Sequence, residues 1–423
     1  SRRRHTRYAD RSRGLGDVYK RQEERLADAR ASMAEKNFAE AVVEIKNVLQ
    51  EDPDVLEARL MLAQSAFALG DPQTAEKELE RAYELGADAA EQRALHYRIQ
   101  LALGNFEEVS VSLSQEGGAD GLTPAEAATF KGNADLGLRK PAEAEASFRA
   151  ALAEEPGYAD AKVGLVGALQ AQGRNEEAEA IVAELVESHP EQPAGWLIRG
   201  QMALRDGRLE PARDDFQQAV KAARAVPDRT REYIALIGLA ESQIGLSDLE
   251  GADRSVAALK RIAPGSPITL KTSAKTSFAK QDYPAARSDL QKVLAANNDD
   301  ASALFLLGAV YLAEGDLAQA ELNLSRAVTL APGNLAARQL LAQAQLRQAD
   351  PDAAVEALSP LLESEAAPDL QTSYLASQAL FRTGETDQAI ELLEQSHKAD
   401  PTNMDIAMSL GAGYLAQQRI DDA

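Results

Sequence analysis

Residues able to do acid–base, nucleophilic or metal chemistry are sparse and scattered in this chain. Its 423 residues include no cysteine, which removes thiolate nucleophiles, disulfides and cysteine-ligated zinc or iron–sulfur centres. Of the four histidines, His5 lies in a basic N-terminal segment, His96 falls at an apolar packing position, and His189 and His397 lie in or near turns. None has a second ligand at metal-binding spacing, and no HExxH, GxxxxGK or GxSxG string occurs. Gly411 and Gly413 sit inside a helical pattern, where small residues serve close packing rather than a phosphate loop. Carboxylates abound, as in Glu76-Lys77-Glu78, but their alternation with Lys and Arg reads as a solvated helix face. Nothing here supports catalysis, a cofactor or a resident metal.

Charge and apolar content narrow the class further. With 45 Lys+Arg against 67 Asp+Glu, the net charge of −22 argues against a protein that neutralises many phosphates, so nucleic acid is not an expected partner. A hydrophobic content of 45% is too high for a disordered chain. The longest near-apolar run, Ala303 to Ala313, falls well short of the ~20 residues that span a bilayer. The charge is uneven. Residues 1–22 carry eight basic and two acidic side chains, leaving −28 for the rest. They lack the apolar core of a signal peptide, and Gly14–Gln22 (GLGDVYKRQ) resembles an adapter-derived tail of translated metagenomic assemblies. Residues 1–22 are therefore expected to be a non-native, irregular tail. On that expectation an export signal or a lipid-attachment cysteine would precede the native part of the chain.

What must position any binding residues is a repeat. Ala41, Ala75, Val109, Ala144, Ala178, Ala212, Ala252, Ala286, Ala320, Ala354, Ala389 and Ala423 recur at 34 or 35 residues, with one interval of 40 between Ala212 and Ala252. Within Ala301–Asn334, Leu304, Leu307, Gly308 and Tyr311 form one helical face, Gly315-Asp316 breaks the chain, and Ala320, Leu324 and Ala327 form a second. Prolines 156, 190, 264, 332 and 401 close units, because proline cannot donate the next helical hydrogen bond. The long interval places six extra residues near Ala222–Arg231, either in a longer helix or in a loop carrying Pro227. We therefore divide the chain into arrays at 23–226 and 227–423, and expect the last repeat to stop where its second helix should start.

These residues resemble the tetratricopeptide pattern W-x2-L-G-x2-Y, A-x3-F, P. Trp196, Gly200, Ala212, Phe216 and Ala219 match it, with Arg199 in the usual Leu position, as do Gly132, Ala144, Phe148, Ala151 and Pro156. The resemblance implies an all-α, right-handed superhelical solenoid of about twelve helix hairpins, which serves as a scaffold for protein or peptide partners held in its concave groove.

In such arrays, first-helix positions 2, 5, 9 and 12 line the groove. Position 12 is apolar in eleven of twelve repeats, including Phe67, Leu204, Phe278 and Phe381, which fits a hydrophobic stripe for a peptide but favours packing between neighbouring first helices. Position 9 is often a neutral amide, as in Gln64, Asn133, Gln201, Gln343 and Gln378, suited to peptide backbones or sugar hydroxyls. Lys271 and Lys275 occupy positions 5 and 9 of one helix, in a basic island over residues 221–280 with ten Lys/Arg against six Asp/Glu. An anionic exopolysaccharide is the alternative ligand this island raises. The lysine–asparagine pair of the chaperone-binding carboxylate clamp is absent.

Two stretches resemble a narrower family. Ala41–Gly86 and Leu335–Leu362 are similar to repeats of the tetratricopeptide lipoproteins of the exosortase (PEP-CTERM) system. That resemblance implies a lipid-anchored bacterial envelope protein, on the periplasmic side, acting in exopolysaccharide production or protein sorting. A cytoplasmic adaptor is the alternative.

Overall fold

The computed structural model describes residues 20–226, 228–363 and 368–419. Among them are twelve first helices and eleven second helices, alternating along the chain, and no strand. The protein is an all-α solenoid of stacked helix hairpins. The expected tail falls outside the described residues up to residue 19, while residues 20–22 open the first helix, which runs from 20 to 34. Pro227 and Ala423 also lie outside the described residues.

The repeat's small residues have a plain physical role. Every described register residue, from Ala41 to Ala389 and including Val109, is fully buried. The large side chain four residues later on the second helix then needs room, and glycine provides it. A Cβ on Gly132 would lie 2.7 Å from the Phe148 ring, and one on Gly164, in the next repeat, 2.2 Å from it. Gly200 and Gly238 flank Phe216 in the same way, at 3.0 and 2.3 Å. Each phenylalanine is thus clasped between its own first helix and the following one, which joins successive repeats.

The consensus Trp position also acquires a function. Trp196 Nε1 donates to the carbonyl of the closing Pro190 at 2.9 Å. Arg59 and Arg338, at the same position of other repeats, donate to the Pro53 and Pro332 carbonyls. A long donor here satisfies a carbonyl left open at the end of the preceding second helix. Glu78, grouped above with a solvated face, is instead buried and accepts from Arg59 Nη1 at 2.5 Å. Arg199 replaces the consensus Leu because Asp215, itself buried, accepts two hydrogen bonds from it at 2.9 and 2.6 Å. Its guanidinium also lies 4.7 Å from the Trp196 ring centre, a cation–π contact.

Helix ends follow ordinary capping chemistry. Asp71, Asp248, Asp282, Asp300, Asp316 and Asp350 each accept a backbone N–H three residues on, so part of the chain's acidity serves as N-caps. Gly315 and Gly384 end first helices in the left-handed conformation, at φ 84° and 91°.

The chain divides into two compact units, up to Gly238 and from Leu239. The six extra residues lengthen helices rather than form a loop: Leu209–Ala225 and Arg229–Gly245 have 17 residues each, where neighbours have 13 or 14. In the first unit, Lys36 Nζ reaches the Val226 carbonyl, 190 residues on in sequence.

Candidate binding grooves

The second unit contains an apolar groove of about 720 Å³. Three consecutive first helices form it: Pro267–Ala279, Ala301–Glu314 and Leu335–Arg347, with Ile244 at one end. Phe278, Phe305, Leu306, Val310 and Leu340 line its walls, and Lys275, Gln343 and Arg347 supply its long polar side chains. These side chains converge because equivalent positions recur every 34 residues, so each helix presents the same stripe to one side of the stack. Phe278 remains 38% exposed, an unusual state for a phenylalanine in a packed array.

The basic island takes a different form from the one its charge count suggests. Lys271 donates to Asp300 at 2.9 Å, Lys275 to Glu241 and Lys280 to Asp253, both at 2.6 Å. Burial pushes the Asp300 carboxyl up, but the Lys271 hydrogen bond and the Ala303 N–H outweigh it and hold the group below the ordinary aspartate range. Lys271 and Lys275 are therefore each matched by a carboxylate from a neighbouring element, and the two do not form a free anion site.

A smaller groove, about 300 Å³, lies in the first unit. Phe67, Leu101, Phe130, Asn133 and Tyr158 line it with Arg98, Arg231, Glu126 and Asp160, so apolar, cationic and acidic groups are mixed. The other position-9 and position-12 candidates are dispersed. Gln64 and Gln201 are exposed and Leu204 is half-buried, all outside these grooves. Phe381 packs instead against the last helix, where a Cβ on Gly413 would meet its ring at 2.8 Å, and Gln378 is half-buried nearby. The position-12 stripe is thus split. Leu346 and Leu312 are buried, although Leu312 borders the groove, whereas Phe278 is exposed in it.

Sequence reasoning missed Phe305, Leu306, Leu340 and Arg347. Phe305 stands at position 5, one of the groove positions, and could have been found there. The others stand at positions 6 and 13, outside the consensus stripe.

The remaining chemistry is structural. His96 is half-buried beside Tyr83 and Tyr97, and burial pushes its pKa down. Among the described residues no cluster of three or more His, Asp or Glu side chains could hold a metal ion. No described helix is long and apolar enough to cross a membrane.

Fold and grooves together define a helical-hairpin repeat scaffold. Sequence profiles described as Tetratricopeptide repeat match residues 32–99, 136–202 and 311–374, and a second set matches 273–334 and 374–423. The chain belongs to the tetratricopeptide repeat family. No curated protein matches it by sequence. Among solved structures it is similar to a chain of the APC/C hetero-tetramer Cut9-Hcn1, with 16% identity, a TM-score of 0.50 and coverage of 94% of this chain and 98% of that one. It is also similar to a tetratricopeptide repeat protein from Parabacteroides merdae, with 15% identity, a TM-score of 0.51 and coverage of 61% and 99%. At these identities the likeness establishes the fold alone.

Proposed function

We propose that the protein is a non-catalytic assembly scaffold whose second unit holds an apolar segment of a partner protein. The observation that carries this reading is the groove at Phe278, Phe305, Leu306 and Leu340, an aromatic and aliphatic concavity spanning three repeats. Such a concavity recognises an amphipathic segment by burying a few large side chains, each worth about 1.5–3 kcal/mol when fully buried. The neutralised lysines Lys271 and Lys275 favour this ligand over an anionic polysaccharide. A photo-crosslinking residue placed at Leu340 in the source cell tests it, with the same residue at exposed Lys292 as control. Discrete, protease-sensitive adducts are expected from position 340 alone. Equal labelling from both positions, or adducts that resist protease and yield to glycan cleavage, would overturn it.

We further infer a setting in the bacterial envelope, on the periplasmic side, in exopolysaccharide assembly or protein sorting. Its support is the resemblance of Ala41–Gly86 and Leu335–Leu362 to envelope lipoproteins of that system. Recovery of the native protein in the cytosolic fraction of its source cell, away from the envelope, would favour the cytoplasmic adaptor instead.

A further inference from the structure

An arginine that lines the second unit's groove has its geometry repeated by a second arginine one repeat further on. Arg347 and Arg382 stand at position 13 of successive first helices, Leu335–Arg347 and Leu370–Thr383. Each donates from Nη1 to a carbonyl near the end of the preceding first helix: Arg347 to Leu312 at 3.0 Å and Arg382 to Leu346 at 2.8 Å. Both residues remain exposed despite these bonds, and neither has a carboxylate partner among the described residues. Arg205, at the same position in the first unit, is paired with Asp206. The helix-end carbonyls tether the two guanidinium groups without neutralising them, because they carry only partial negative charge.

The groove beside them is as selective in what it omits. None of its lining residues is Asp or Glu, although the chain has 67 of them. Its other cation, Lys275, is taken by Glu241. Arg347 lines the groove directly, and Arg382 holds the equivalent position one repeat further on, bonded to the Leu346 carbonyl. We propose that the partner segment is acidic as well as apolar, with large apolar side chains in the groove and two carboxylates paired with Arg347 and Arg382. This rests on the groove reading above and adds the partner's charge.

Three physical points support the assignment. A tethered guanidinium has already lost much of its rotamer freedom, so less entropy is lost on pairing than for a free side chain. It still has unused N–H groups in the fork geometry that suits a carboxylate. The chain's overall acidity would attract a basic partner at long range, but exposed charges beyond about 8 Å are screened at physiological salt, so charges at the groove decide. The two first helices pack against each other, and packed helices lie about 8–10 Å apart. The partner's carboxylates are then expected about seven residues apart in a helix, or about two to four apart in an extended strand, at an even spacing that keeps both on one face.

A random peptide-display library selected on the purified chain tests the proposal. Parallel selections use Arg347→Glu/Arg382→Glu and Phe305→Asp chains, each first checked for unaltered far-UV circular dichroism. The expected result is enrichment of peptides with several large apolar residues and two acidic ones. Their affinity, read by fluorescence anisotropy, should fall about tenfold on the arginine variant and recover when the two acids are changed to lysine. Enriched peptides that are neutral or basic, or whose affinity ignores the arginine changes while Phe305→Asp abolishes it, would overturn the acidic partner and leave the groove standing. No enrichment over the Phe305→Asp chain would overturn both.

Discussion

The clasp around Phe148 yields a test whose sign reverses with background. Gly164→Ala alone should gain about 1 kcal/mol of helix propensity. Its Cβ would however sit 2.2 Å from one ring atom of Phe148 and 2.3 Å from another. The ring has little room to retreat, since it is fully buried and lies close enough to Gly132 that a Cβ there would also sit 2.7 Å from it. Overpacking of this kind costs about 1–3 kcal/mol, and a contact this short belongs at the upper end, so the net change is a destabilisation of about 1–2 kcal/mol. Phe148→Ala should cost about 3–5 kcal/mol. In that background the same Gly164→Ala meets a void and should stabilise by about 1 kcal/mol. The coupling between the two sites is then about 2–3 kcal/mol, in the range seen for residues in direct contact. Hydrogen exchange of amides in Pro141–Glu154 and Ala159–Ala171 is the appropriate assay, because a repeat array does not have to unfold in one step. Slower exchange in the Gly164→Ala single variant would refute the clasp.

Three further expectations follow from the same packing. Arg199→Leu restores the repeat consensus yet should destabilise by about 1–2 kcal/mol, because it strands the buried Asp215 carboxylate; adding Asp215→Ala should recover stability in denaturant titration. Ala349 ends a first helix at φ 61°, a conformation disfavoured for a residue with a Cβ, so Ala349→Gly should slow exchange in Leu335–Arg347, a stabilisation of about 0.5–1 kcal/mol. The Glu145 carboxyl is held at about 2 by hydrogen bonds from Gln172, then Arg149 and Arg174. Its folded value lies below the unfolded value of about 4.3, so its contribution is present above about pH 4.3 and is lost as pH falls toward 2. Glu145→Gln should accordingly flatten the loss of first-unit stability between pH 5 and 2.5, measured by circular dichroism, and an unchanged slope would exclude this linkage.

Much of the architecture was legible because it is local. A helix face needs apolar residues at i, i+3, i+4 and i+7, a helix end needs Gly or an N-cap, and both recur with the register alanines. The register residues from Ala41 to Ala389, Val109 among them, are fully buried on the packed faces of their second helices. The candidate site was legible only in part. Counting positions 9 and 12 located Lys275, Phe278 and Gln343 in one groove, but not Leu306, Leu340 or Arg347 beside them.

The difference lies in sequence distance. Hairpins, breaks and the register follow from contacts among residues within a repeat, so the order of residue types alone determines them. Whether a cation is free or neutralised depends on the adjoining repeat. Lys275 meets Glu241, 34 residues earlier, and Lys271 meets Asp300, 29 residues later. Arg347 finds a carbonyl 35 residues away rather than a carboxylate. Composition showed a basic island at 221–280; stacking the repeats neutralised its Lys271, Lys275 and Lys280, whereas Arg347 and Arg382, outside the island, have no carboxylate partner among the described residues.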